Sequence, residues 1–342
     1  MPVAVAEPDG SAPSAGSVDL RRVSRDIYGT TRLEADGRTL WWAAHTPDGP
    51  GTLRLSSTAA GRAPAVSAWG PGAEWMQAQA PRLLGAEDDP GAFRPPAGVV
   101  RDLWRRHGPV AFGRTDRVFD ATLESVLGQK VQTALARRSL RLLTAALGEP
   151  APGPVPLRLY PHPHRLAELG SAGLHRFGVE RKRADTLVRV AREAERLETA
   201  GAAGPAALDA RLRSVRGVGV WTSALVRAAA LGDADAVPVG DFHVPHAIVW
   251  ALTGRPRGSD AEMLELLEPF RPHRGRVVAL LMGTVGPAPR FGPRLECLPV
   301  DHFDRPDAWF RDRSPFGGGH RQGPLDGARR SGPSAMRTGG GR

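Results

Sequence analysis

Cysteine is nearly missing from this chain of 342 residues: Cys297 stands alone. One thiol cannot close a disulfide within the chain, nor supply the four thiolates of an iron–sulfur cluster. Lysine is almost as scarce, with Lys130 and Lys182 as its only occurrences among 46 basic residues. Chemistry that needs a side-chain amine therefore has two candidates. No apolar run reaches the eighteen or so residues of a membrane span. The opening MPVAVAEPDGSAPSAG has neither the basic start nor the long apolar core of a secretory signal. The expectation is a soluble, cytoplasmic protein with no membrane partner. Positive charge is what the chain has in excess, a formal +10 carried almost wholly by arginine. That balance suits a polyanionic partner. A GC-rich genome explains an arginine bias too, so charge alone assigns nothing.

The most informative stretch is LRSVRGVGVWTSALVRAAALGDADAVPVGDFHVPH, from Leu212 to His246. Leu208, Leu212 and Val215 fall at i, i+4 and i+7, as one face of a helix requires. Gly217 and Gly219 break that helix, because glycine accepts positive φ and lets a backbone approach a partner closely. A second helix restarts over Trp221–Leu231, with Thr222, Leu225, Val226 and Ala229 on one face. A glycine hairpin of this kind aims the free N–H groups and positive dipole end of its second helix at whatever lies in front. Both suit a phosphate. Asp241 follows 22 residues beyond Gly219. Read alone, it is a good N-cap for a helix over Pro245–Leu252. Asp233 and Asp235 read as turn residues. His243 and His246 are three apart, but Pro245 and the lack of further ligands argue for packing or nucleic-acid contact over a metal.

This segment resembles the helix-hairpin-helix motif of base-excision DNA glycosylases, and is most similar to the 3-methyladenine DNA glycosylase II family. There the hairpin reads roughly P-G-[IV]-G-x-W-T-A, with the catalytic aspartate at about the spacing found here. Two further stretches agree: FDATLESVLGQKVQ (Phe119–Gln132), similar to a helix–turn with a Gly-Gln pair, and FGVERKRADTLVRVAR (Phe177–Arg192), similar to the helix before the hairpin. The likeness covers roughly residues 95–295.

The resemblance implies a monofunctional DNA glycosylase acting on double-stranded DNA that carries alkylated bases, as a monomer. Asp241 would stabilise the positive charge that builds on the deoxyribose as the base leaves, and would orient the attacking water. That chemistry needs no metal. Trp221 stands where bifunctional relatives place a Schiff-base lysine. With Leu225 and Met282 it would line the base pocket, its ring facing an extruded, electron-poor base. Arg216, Gly217, Val218, Gly219, Thr222, Gln129 and Lys130 would touch DNA, and a monovalent cation could bridge hairpin carbonyls. No other cofactor is implied. The sequence departs from the family's best-known form at three places. Lys130 replaces an apolar residue that wedges into the base stack, and Leu225 and Met282 stand where aromatics are expected. A non-catalytic helix-hairpin-helix protein that grips bent or damaged duplex is the alternative.

The organisation follows: an α+β, mostly α chain. Residues 1–17 read as a leader rich in Ala, Pro, Gly and Ser. Residues 18–94 read as a small mixed α/β domain, with strands at Thr31–Glu34, Thr39–His45 and Thr52–Ser56. Asp36-Gly37 marks a hairpin between the first two, and a helix is expected over Ala73–Leu84. Residues 95–310 form the glycosylase-like helical domain, in two lobes with a groove between them. Phe119, Leu123 and Val126 make one apolar stripe there, and Val131, Leu135 and Leu142 another. Residues 311–342 form a basic tail without core-forming residues.

Overall fold

A computed structural model describes residues 30–57, 63–109 and 111–285, with Leu20 and Ala288. The expected leader, the basic tail and Cys297 lie outside the described residues. Four strands come first: β1 (Thr31–Leu33), β2 (Thr39–Thr46), β3 (Gly49–Ser56) and β4 (Ala65–Trp69). They pair antiparallel in chain order. The turn expected at Asp36-Gly37 is present, with Gly37 at φ 69° between the paired Leu33 and Leu40. The fourth strand had no signal in the sequence. Its residues, AVSAW, are mostly small and do not alternate in polarity; β3 supplies the order by pairing Leu53 with Ala68 and Leu55 with Val66. One face of the sheet, including Leu40, Trp42, Leu53 and Leu55, packs on Met76, Ala80 and Leu83 of α1 (Ala73–Leu83).

Eleven further α-helices follow among the described residues, and they build two cores. α3 (Val118–Leu127), α4 (Thr133–Leu147), α5 (Pro163–Leu174), α6 (Arg181–Arg192), α7 (Ala194–Ala202), α8 (Pro205–Ser214) and α9 (Val220–Leu231) enclose the larger, around Leu123, Val126, Leu143, Leu187, Leu208, Leu212 and Val226. α2 (Val99–His107), α10 (Val244–Thr253), α11 (Asp260–Leu267) and α12 (Arg274–Thr284) enclose the smaller, around Leu103, Ile248, Met263, Leu267 and Val277. The expected stripe on α3 is buried as read. The one assigned to α4 is corrected. Val131 precedes the helix, Leu135 and Leu142 are half-buried, and Leu140 and Leu143 are the apolar side chains that α4 buries. The turn from Gly128 to Gln132 uses residues the periodicity had credited to the helix.

Specific contacts hold the larger core to its neighbours. The N–H groups of Thr115 and Asp116, in the segment before α3, bond the carbonyls of Ala229 and Ala230, and from β2 His45 Nε2 meets the Tyr160 carbonyl at 3.0 Å. Beneath Trp42 lies a cavity of about 20 Å³ bordered by Arg117, Asp120, Glu124 and Tyr160. Asp120 lines that space. Desolvation pushes its carboxyl up to about 7, against the pull of Arg117 and with help from Glu198.

Candidate active site

α8 and α9 meet at the glycine hairpin, and its two glycines do different work. Gly217 has φ +101°, and a Cβ there would sit 2.1 Å from Thr186 Oγ1 and 3.1 Å from Thr186 Cβ. This position needs glycine twice over, for conformation and for close packing on α6. Gly219 is different. Its φ of −105° suits any residue, and nothing lies within 4 Å of an added Cβ. The expectation of positive φ is met at the first glycine and corrected at the second. Gly219 leaves the start of α9 bare, for as N-cap it has no side chain to bond the first-turn N–H groups.

Two long-range contacts fix the hairpin. Gln129 Nε2 donates to the Gly217 carbonyl at 3.0 Å and to Thr222 Oγ1 at 2.9 Å. Arg189 Nη1 donates to the Arg216 carbonyl at 3.0 Å. Gln129 thus acts on the hairpin itself. Thr222 and Val218 are buried, so at both positions the backbone is what a ligand could meet. The Val215 carbonyl takes the N–H of Val218. Each of the carbonyls of residues 215–217 thus already accepts one hydrogen bond.

Asp241 stands where the chain enters the smaller core, ahead of α10. Its Oδ1 accepts the N–H groups of His243 (2.7 Å), the N-cap residue of α10, and of Val244 (3.0 Å), its first residue, so it caps the helix from two residues before the N-cap position expected of it. Its Oδ2 accepts Trp221 Nε1 at 2.8 Å. The preceding Gly240, at φ +89°, gives its N–H to both carboxylate oxygens of Asp260. The carboxylate is therefore held from three sides: by the helix it caps, by the hairpin's second helix, and through its neighbour by α11. Three donors fix the direction in which it points, and it is partly exposed.

Among the other expected site residues, Leu225 lies one turn beyond Trp221 on α9 and is half-buried. Met282 is 40% exposed near the end of α12, on the other core. Lys130 is exposed in the turn after α3, and it holds φ +54°, which few non-glycine residues adopt. Arg216 is exposed. His246 Nδ1 accepts the Gly258 N–H at 3.2 Å, a packing role. Asp233 and Asp235 pair with Arg227 and Arg274, so they brace the turn after α9 as well as forming it. No group of His, Cys, Asp or Glu among the described residues is arranged to hold a metal.

One residue escaped the sequence reading. Phe242 follows Asp241 directly and is 78% exposed, with its ring edge-on to His243 at 4.9 Å. An aromatic ring this bare, beside a fixed carboxylate, is a surface for another flat group. The signal was available in GDFHVPH, as an aromatic with no periodic apolar partner.

A glycine hairpin with a bare helix start lies beside an aspartate at the entry to a helix of the smaller core. The fold is that of the helix-hairpin-helix DNA glycosylases. The chain is similar to a 3-methyladenine DNA glycosylase from Archaeoglobus fulgidus, with TM-score 0.63 and 20% identity over 78% of this chain and 95% of that one. It is also similar to the 8-oxoguanine glycosylase/lyase of Clostridium acetobutylicum in its apo form, with TM-score 0.59 and 15% identity over 75% and 91%. The same enzyme in complex with double-stranded DNA gives TM-score 0.58 at 13% identity, over 76% of this chain and 91% of that one. No protein-family model and no curated protein matches the chain in sequence.

Proposed function

We propose that the protein is a monofunctional DNA glycosylase that hydrolyses the N-glycosidic bond of alkylated bases extruded from duplex DNA. The observation that carries this reading is the Asp241 carboxylate, tied to Trp221 at 2.8 Å and thereby set beside the bare start of α9. A phosphate on those N–H groups brings the adjoining sugar to the carboxylate. As the base departs, negative charge beside the sugar ring stabilises the cation, and the same oxygens orient water. The protein groups are already in position, so little reorganisation opposes the reaction. Trp221 and Phe242 offer aromatic faces on either side of Asp241 in the chain, which suit a flat, electron-poor base.

Lyase chemistry is the point on which the neighbours differ, and the lysines argue against it here. Trp221 fills the hairpin position. Lys130 lies exposed in the turn after α3, and Lys182 opens α6. The enzyme should therefore leave an intact abasic site, with strand cleavage only after alkali. Incubation with N7-methylguanine duplex under borohydride should trap no adduct. A strong adduct lost in Lys130→Ala would overturn the monofunctional reading.

Phe242→Ala tests the base-facing role. The exposed ring supports no core, so the melting temperature should hold. Losing one stacked base contact costs about 1–3 kcal/mol, so the second-order excision rate should fall by roughly five- to 150-fold. An unchanged rate would remove Phe242 from the site.

A further inference from the structure

Next to the hairpin, positive charge is concentrated in a cleft that no step above uses. It measures about 250 Å³, lies between the ends of α6 and α8, and is lined by Arg189, Arg192, Glu193, Arg211, Ser214 and Arg216 among others. Its one carboxylate, Glu193, is already taken, by Arg211 and by Arg196 at 3.3 Å. Arg189 donates to a neutral carbonyl, so its charge stays uncompensated. The side chains of Arg192 and Arg216 make no ion pair or hydrogen bond among the described residues, and both residues are exposed. Three unneutralised guanidinium groups therefore border one concave surface. Such a concentration of like charge is unfavourable until an anion enters it.

The occupant follows from what lies next to the cleft. Arg216 borders it, and the following residue, Gly217, begins the hairpin. A phosphodiester chain seated on the hairpin and running on to the Arg216 side would bring its next phosphates to the cleft already tethered, at high effective concentration. A free phosphate or an acidic peptide has no such advantage. We propose that this cleft is a second backbone-binding site, which takes phosphates of the same duplex beyond the one held by the hairpin and extends the footprint to one side. The proposal rests on the reading of the protein as a duplex-DNA enzyme.

The test measures the affinity of the full chain for abasic-site duplexes shortened stepwise on either arm, across a range of salt. The wild type should lose affinity when one arm is cut back and not when the other is. Arg192→Gln should lower the slope of log K against log salt by about one, the share of one phosphate contact. Its response to the two arms should become more nearly equal, and Arg192→Glu should go further in both respects. Arg32→Gln, which removes the same charge from the edge strand β1, should keep the wild-type slope and arm preference. Circular dichroism melts check that each variant is folded. Wild-type slope and arm preference in both Arg192 variants would overturn the cleft proposal and leave the enzyme reading intact. Failure of the wild type to bind any of these duplexes would overturn both.

Discussion

Asp241→Asn should lose base excision by roughly 10²–10³-fold or more while still binding abasic duplex. The structure makes this substitution unusually clean. The asparagine oxygen can keep accepting the N–H groups of His243 and Val244, so the cap on α10 survives. What disappears is the charge, and with it the acceptor facing Trp221 Nε1, since an amide NH₂ there meets another donor. Stability should change little and chemistry greatly. Asp241→Ala removes cap and charge together and should cost about 1–2 kcal/mol more in folding. Single-turnover excision on duplex containing N3-methyladenine or N7-methylguanine, with a thermal melt of each variant, separates the roles. If Asp241→Asn keeps most of its rate, the carboxylate only caps, and the chain is a DNA-binding module on a glycosylase fold.

The second large effect is expected at the hairpin, where the two glycines should part company. Gly217→Ala forces a side chain into φ +101° and against Thr186, whose own Cβ is too near for a rotamer change to relieve the clash. Strain and overpacking together should cost roughly 2–5 kcal/mol. That corresponds to a drop on the order of 10 °C in melting temperature for a chain of this size. Gly219→Val has room and an ordinary φ, so its stability should stay within about 0.5 kcal/mol of the wild type. It should nonetheless weaken binding to every duplex, by crowding the bare N–H groups, with little change in base preference. Unaltered duplex affinity in Gly219→Val would mean that the start of α9 holds no phosphate.

Much of this could be read from local pattern. The hairpin, the helices flanking it and the turn at Asp36-Gly37 announce themselves through spacing and glycine chemistry within a few residues. The aspartate was legible as a cap and, through resemblance, as a catalytic group; the structure establishes the cap. Pairings across distant segments were not legible. Gln129 reaches the hairpin over more than eighty residues of sequence, and nothing near it indicates that its amide braces that turn. The bond from Trp221 to Asp241 is hidden for the same reason. β4 was missed because its order comes from β3, and Val131 was misplaced because apolar spacing ran on through a turn. Phe242 was overlooked because a search for stripes passes over the aromatic that joins none.

The hydrogen bond between Trp221 and Asp241 has a consequence for how such a protein can diversify. It joins the hairpin and the carboxylate into one mechanical unit, since Trp221 lies two residues past Gly219 and Asp241 leads into the other core. Residues beyond that unit, Leu225 one turn along α9 and Met282 on α12, make no hydrogen bond within it. On the proposed function, exchanging them would alter the volume and polarity offered to a base without moving the carboxylate or loosening the backbone hold. New base preferences would then be within reach of one or two substitutions on surfaces insulated from the reaction, whereas any change that shifts the tryptophan would disturb recognition and chemistry together.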